Sequence, residues 1–154
     1  MPDGLSLPST TAIYPAAAML AAAGPLDAAT ALVLASPGLR SLDVLCGLIG
    51  RGCAAAAEMP LDCKVPVEPA EIVLVPSLTD AASVKAALSL SRRCLLPCGR
   101  IVLEDSAGGL SREIVALLRD AGFCNIRLHA HADSAIISAD KPMFGAMLRQ
   151  VGHG

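Results

Sequence analysis

Short apolar runs alternate with helical patterns along this chain. Residues 30–36, TALVLAS, are almost wholly apolar and stop at Pro37-Gly38, as expected of a parallel strand buried on both faces. AEIVLVPS at 70–77 and RIVLED at 100–105 repeat that character, and CAAAAEM at 53–59 is a shorter strand pattern. Helical spacing fills the intervals. Ala16–Ala23 forms a short helix with Pro15 at its first turn and Gly24-Pro25 as its stop. Leu39, Leu42, Cys46 and Ile49 mark the apolar face of a second helix, which ends at Gly50 and Gly52. Asp80 caps a third that runs to about Leu95, with Val84, Ala87, Leu88, Ser91 and Leu95 on one side. A fourth opens at Gly109 or Ser111, carries Leu110, Ile114, Leu117, Leu118 and Ala121 inward, and has Gly122 at its C′ position. CNIRLHAH at 124–131 and SAIISAD at 134–140 are separated by so few residues that they form an antiparallel hairpin.

Strands alternating with helices predict an α/β three-layer sandwich. Its sheet is mainly parallel, has about six strands and closes with a C-terminal antiparallel hairpin. The expected organisation is an N-terminal extension with a short helix over residues 1–28, one domain over 29–146, and a tail or linker start over 147–154.

Composition narrows the function classes. The chain has 154 residues, a net charge of −2 and scattered basic residues, which argues against phosphate-mediated nucleic-acid binding. With no Trp, one Tyr and two Phe there is little to stack on bases. Hydrophobic content of 54% and mean hydropathy of +0.59 come largely from alanine, and no window is long and apolar enough to span a bilayer. The apolar N-terminus lacks any Lys or Arg before Arg40, unlike a signal or transit peptide, so the expected location is cytoplasmic. The six cysteines at 46, 53, 63, 94, 98 and 124 are then reduced thiols, four of them within apolar patterns, where a thiol behaves as a small hydrophobe.

LLPCGRIVLED at 95–105 resembles the turn and fifth strand of class I S-adenosylmethionine-dependent methyltransferases, and LLRDAGFCNIRLH at 117–129 resembles the helix and strand that follow it. The resemblance implies a cofactor cradled by a glycine-rich turn after the first strand, where backbone must approach the ligand closely, and a ribose-binding acid at the end of the second. Here the turn, Ala35-Ser36-Pro37-Gly38-Leu39-Arg40, holds one glycine. Gly38 and Glu58 are therefore the cofactor-binding candidates if the chain is a small or degenerate methyltransferase. Glu58 reads equally as a solvated strand-end carboxylate.

The absent glycines, the short interval between the first strands and the Lys141-Pro142-x-Phe144 segment after the last strand resemble the N-terminal domain of the anamorsin family over roughly residues 30–146. That resemblance implies a non-catalytic interaction domain in cytosolic iron–sulfur cluster assembly and electron transfer, with a diflavin reductase as electron donor and other iron–sulfur assembly proteins as partners; composition leaves no nucleic-acid or membrane partner expected. It places the 2Fe-2S and 4Fe-4S clusters in a cysteine-rich C-terminal region with closely spaced C-x-x-C pairs, so no cofactor is expected within residues 1–154.

No catalytic residue or metal ligand set emerges from the remaining candidates. His129 and His131 share one face of a strand but lack a companion ligand at a useful spacing, and His153 falls in the tail. Cys94 and Cys98 straddle a helix end, and a cluster would need two further ligands. Pro97 ends the helix. The reversal into the next strand needs one residue at positive φ, which is expected at Gly99 and leaves Cys98 at negative φ.

Overall fold

The computed structural model describes residues 16–35, 40–61, 68–106, 108–131 and 134–143. The first described element is helix α1 over residues 16–23. It is followed by β1 (Thr30–Ala35), α2 (Arg40–Gly50), β2 (Ala55–Pro60), β3 (Ala70–Leu78), α3 (Ala81–Cys94), β4 (Leu95–Asp105), α4 (Ser111–Asp120), β5 (Cys124–His131) and β6 (Ser134–Asp140). The strands form one sheet in the order β2-β1-β3-β4-β6-β5. β1 pairs parallel with β2 and β3, and β3 parallel with β4, while β6 runs antiparallel to both neighbours. The fold is the α/β sandwich read from the sequence, with β6 as the reversed strand.

Alternation along the central strands divides the core into two layers. Leu32, Leu34, Val73, Val75, Ile101 and Leu103 face α3 and α4, which contribute Val84, Leu88, Ile114 and Leu118. Ala31, Val33, Ile72, Leu74 and Val102 face α1 and α2, which contribute Met19, Leu20, Val44 and Leu48. α1 thus shares the core with the strands that follow it. Leu20 lies so close to Gly47 that a β-carbon there would overlap it, so a glycine lets the two helices touch. α3 buries the side predicted for it, and Asp80 caps it by accepting from Ser83 N at 2.7 Å. Gly122, after the end of α4, has φ +91° as expected of a C′ glycine.

α2 corrects the sequence reading. Val44 and Leu48 are its buried residues, whereas Leu42, Cys46 and Ile49 point outward. The helix has apolar residues on both sides, so periodicity alone could not choose the inner one.

Three strands carry bulges, each with a non-glycine residue at positive φ: Ser77 in β3 (+62°), Cys98 in β4 (+67°) and Asn125 in β5 (+52°). At Ser77 the register with β4 steps from Val75↔Leu103 to Leu78↔Asp105, three residues against two. At Asn125 it steps from Cys124↔Asp140 to Arg127↔Ser138 in the same way. At Cys98 two residues oppose one: Cys98 N donates to Lys141 O and Lys141 N donates to Gly99 O, both at 2.8 Å. That is the bulge type whose first residue is ordinarily a left-handed glycine. Positive φ therefore falls on Cys98, contrary to expectation. Gly99 is required for a different reason: a β-carbon there would lie 2.7 Å from both Glu71 O and Leu96 O.

Candidate functional site

Because β1 to β4 are parallel, their C-terminal ends meet at one edge of the sheet, where ligands of open α/β folds bind. Gly38 lies outside the described residues. Glu58 stands in β2 directly across from Val33 of β1, two positions before β2 ends, and its side chain is exposed. Neighbouring strand ends bring two further carboxylates to this edge that the sequence reading passed over, Glu104 and Asp105 at the end of β4, both fully buried. Their signal was a pair of acids closing an apolar strand, which also marks a strand running into solvent.

Both carboxylates are engaged by the protein's own chain. The Ser77 bulge turns its N–H out of the regular ladder, and that N–H donates to Glu104 Oε1 at 2.9 Å. Asp105 accepts from Gly108 N at 3.0 Å through Oδ1, and from Leu110 N and Ser111 Oγ through Oδ2, both at 2.8 Å. It thereby satisfies donors at the start of α4, whose cap residue Leu110 has no side-chain acceptor to offer. Ser106, the next residue, has a buried hydroxyl without a hydrogen-bond partner among the described residues.

The opposite edge is built from long-range side-chain bonds. Arg100 Nε donates to Asp140 Oδ1 at 2.8 Å and its Nη1 to Ala22 O at 3.2 Å, tying β4 to β6 and to the end of α1. Asn125 Nδ2 donates to Asp140 Oδ2 at 3.1 Å. Burial opposes ionisation of Asp140, but the hydrogen bonds from Arg100 and Asn125 and the charges of Arg100 and Arg127 outweigh it, holding the carboxyl below the ordinary aspartate value. Lys141 Nζ donates to Arg92 O at 3.1 Å and Leu95 O at 2.7 Å, closing the C-terminal end of α3. The lysine of the Lys-Pro segment thus has a structural task, while Phe144 lies outside the described residues. A cleft of about 400 Å³ opens here, lined by Pro25, Cys98, Arg100, Cys124, Asp140 and Lys141 among others.

The cysteines are less buried than their apolar contexts suggest. Cys94 is in the core, where burial pushes its thiol pKa up against smaller opposing effects of a backbone hydrogen bond, Lys141 and Arg93. Cys46, Cys98 and Cys124 are exposed and Cys53 is intermediate; Cys63 lies outside the described residues. Among the described residues no three His, Cys, Asp or Glu side chains gather as a metal site. His129 is exposed on β5. No helix of the described residues is long and apolar enough to cross a membrane.

Comparison with solved structures defines the class. The chain superposes on human N-acetylserotonin methyltransferase in complex with SAM with TM-score 0.60 and 13% identity, covering 82% of this chain and 51% of that one. A methyltransferase-family structure from Pseudomonas syringae gives 0.59 and 16% over 82% and 96%. The precorrin-6y C5,15-methyltransferase from Geobacter metallireducens gives 0.58 and 14% over 82% and 87%. The chain spans about half the length of the human enzyme and of the pyocyanin biosynthetic protein PhzM, 51% in each case. The fold is that of the class I S-adenosylmethionine-dependent methyltransferases. No protein-family model and no curated protein matches the sequence.

Proposed function

We propose that this chain is a methyltransferase-fold domain that binds protein partners rather than transferring methyl groups, of the type found at the N-terminus of anamorsin-family proteins. The observation that carries the non-catalytic part is Asp105, a buried carboxylate at the ligand-binding edge whose oxygens are taken up by three donors of the adjacent turn. The resemblance carried by the absent glycines, the short interval between the first strands and the Lys141-Pro142-x-Phe144 segment supports the family reading. On that reading the domain is a docking body in cytosolic iron–sulfur assembly, electrons come from a diflavin reductase, and the clusters belong to a region beyond this domain.

Calorimetry of the whole chain with S-adenosylmethionine tests the first part. The expected result is no measurable heat of binding. A dissociation constant in the low micromolar range, about −8 kcal/mol, overturns it. Coding sequence beyond residue 154 tests the family part: closely spaced C-x-x-C pairs are expected there, and their absence withdraws the iron–sulfur role.

A second reading, a small S-adenosylmethionine-dependent methyltransferase, draws on exposed Glu58 near the end of β2 and on the Ser106 hydroxyl at the same edge, which has no partner among the described residues. The same titration, repeated with Glu58→Gln, decides it: binding that weakens in the variant would assign Glu58 to the ribose.

A further inference from the structure

Charge is distributed unevenly along this acidic chain. Residues 81–131, from α3 through β5, hold seven Lys and Arg against four Asp and Glu, whereas the rest of the chain holds five against ten. Two of the four acids, Glu104 and Asp105, are buried, so the surface excess of positive charge is larger still. Five of the seven cations are exposed on α3 and α4, and α3 contains no acid at all. Lys85, Ser89, Arg92 and Arg93, at i, i+4, i+7 and i+8, lie on one side of α3. There they border a groove of about 580 Å³ between α3 and α4. Its floor is apolar, with Leu88 buried and Leu117 and Ala121 half-buried. Asp120 is the acid of the α4 wall, which leaves the groove three cations against one carboxylate. Lys85 and Arg92 make no ion pair and no side-chain hydrogen bond among the described residues.

We propose that this groove seats an acidic amphipathic helix of a partner protein, with its apolar side on Leu88, Leu117 and Ala121 and two carboxylates seven residues apart facing Lys85 and Arg92. The proposal rests on the partner-binding reading above, and it supplies the surface and the chemistry of the partner. Spacing selects a helix. Lys85 and Arg92 are separated by two turns, roughly 10 Å along the axis, and carboxylates at i and i+7 of a second helix have the same separation. On an extended strand, side chains of one face fall about 7 or 13 Å apart, so one of the two pairs is lost. The floor selects a protein: a nucleic acid would offer phosphates to the cations but leave Leu88, Leu117 and Ala121 without an apolar partner, whereas a helix laid in a groove uses both. Opposite charge then sets the orientation and speeds the encounter. The chain's own ends do not provide such a segment, since residues 1–15 and 144–154 contain one acid between them, Asp3.

The test is fluorescence anisotropy of the whole chain with a labelled helical peptide that carries Glu at i and i+7 and Leu along the adjoining face. A dissociation constant of about 100 μM or tighter is expected at about 0.15 M salt, weakening at least fivefold at about 0.5 M as screening shortens. Lys85→Glu with Arg92→Glu reverses both contacts at exposed positions and should abolish binding with the wild-type circular dichroism retained. Should that variant unfold, Ser89→Trp obstructs the groove from an exposed position and should weaken binding about tenfold. Arg112→Glu with Arg119→Glu makes the same change of net charge on the other flank of α4. It should bind within about threefold of wild type, because the screening length at 0.15 M is about 8 Å. Absence of binding up to about 1 mM overturns the proposal, and so does equal loss in the two charge-reversed variants. A DNA duplex that displaces the peptide and binds more tightly overturns it in favour of phosphate recognition. Self-association of the chain that disappears in Lys85→Glu with Arg92→Glu overturns it in favour of a second copy. The S-adenosylmethionine titration reads separately: heat of binding there overturns the non-catalytic reading, while peptide binding lost in Lys85→Glu with Arg92→Glu still upholds the groove.

Discussion

The two edges of the sheet use polar side chains in opposite ways. At the C-terminal edge of the parallel strands, Asp105 bonds to groups three to six residues further along the chain, and Glu104 serves a bulge in the neighbouring strand. These bonds complete backbone that the strand ends leave unsatisfied. At the opposite edge, Arg100, Asp140 and Lys141 join elements 40 to 78 residues apart, and they rim a cleft with two exposed thiols. At the edge that holds a ligand in this fold, Glu104 and Asp105 are bonded to the protein's own chain, while the other edge acts as a clamp. A fold can thus keep its layers and strand order while two acids at its ligand edge, Glu104 and Asp105, serve its own backbone.

The largest effect should come from removing the Asp105 carboxylate. Asp105→Ala leaves Leu110 N–H and the Ser111 hydroxyl without their acceptor, while Gly108 N–H keeps its bond to the Asp105 carbonyl at 3.3 Å. The cost should be roughly 3 kcal/mol, since unsatisfied buried donors cost about 1–3 kcal/mol each and part of the turn can relax to water. Urea denaturation measures it. A loss below about 0.5 kcal/mol, within the scatter of ordinary surface substitutions, would mean that Asp105 is not needed by the turn and is available for chemistry.

The clamp should show a smaller, pH-dependent effect. Asp140 is held below the ordinary aspartate value of 3.8, so its folded pKa lies under its unfolded one. The stabilisation is therefore complete above the unfolded value and is lost as pH falls through the folded one. Arg100 and Asp140 are 27% and 20% exposed, which leaves water some access and limits the pair to about 1–2 kcal/mol at neutral pH. Arg100→Met should lower stability by that amount at pH 7 and flatten the decline between about pH 5 and pH 2. Equal acid sensitivity in wild type and variant would place the linkage elsewhere.

How much was legible in the sequence depended on whether a segment's pattern had one solution. α3 carries Lys85, Arg92 and Arg93 on one side and Val84, Ala87, Leu88 and Ser91 on the other, so its inner face could be read directly. α2 offers no such contrast, and the choice of Val44 and Leu48 was made by packing against α1 and the sheet. The mainly parallel sheet and its closing antiparallel hairpin followed from the alternation of strands with helices and the short link between the last two strands. The bulges were hidden because Ser77, Cys98 and Asn125 are not glycines. A left-handed residue is flagged in sequence by composition, and here tertiary hydrogen bonds impose the conformation instead. Of the candidate site, Glu58 could be named from its position at a strand end, but the burial of Glu104 and Asp105 depends on neighbours brought in by the sheet.

The smallest prediction concerns the bulge that faces the clamp. Cys98 holds φ +67°, where a β-carbon costs about 1–2 kcal/mol relative to glycine. Cys98→Gly relieves that strain but enlarges the conformational freedom of the unfolded chain, which returns about 0.4–1 kcal/mol. The thiol is exposed, so little burial is lost with it. The net result should be a gain of about 0.5–1 kcal/mol, the difference between those two effects. Cys98→Ala keeps the β-carbon and removes only the sulfur, so it should leave stability unchanged within about 0.5 kcal/mol. Guanidinium unfolding of the three proteins separates the causes. If glycine and alanine destabilise alike, the sulfur itself contributes at this edge, and the clamp includes a contact of the thiol in addition to its ion pair.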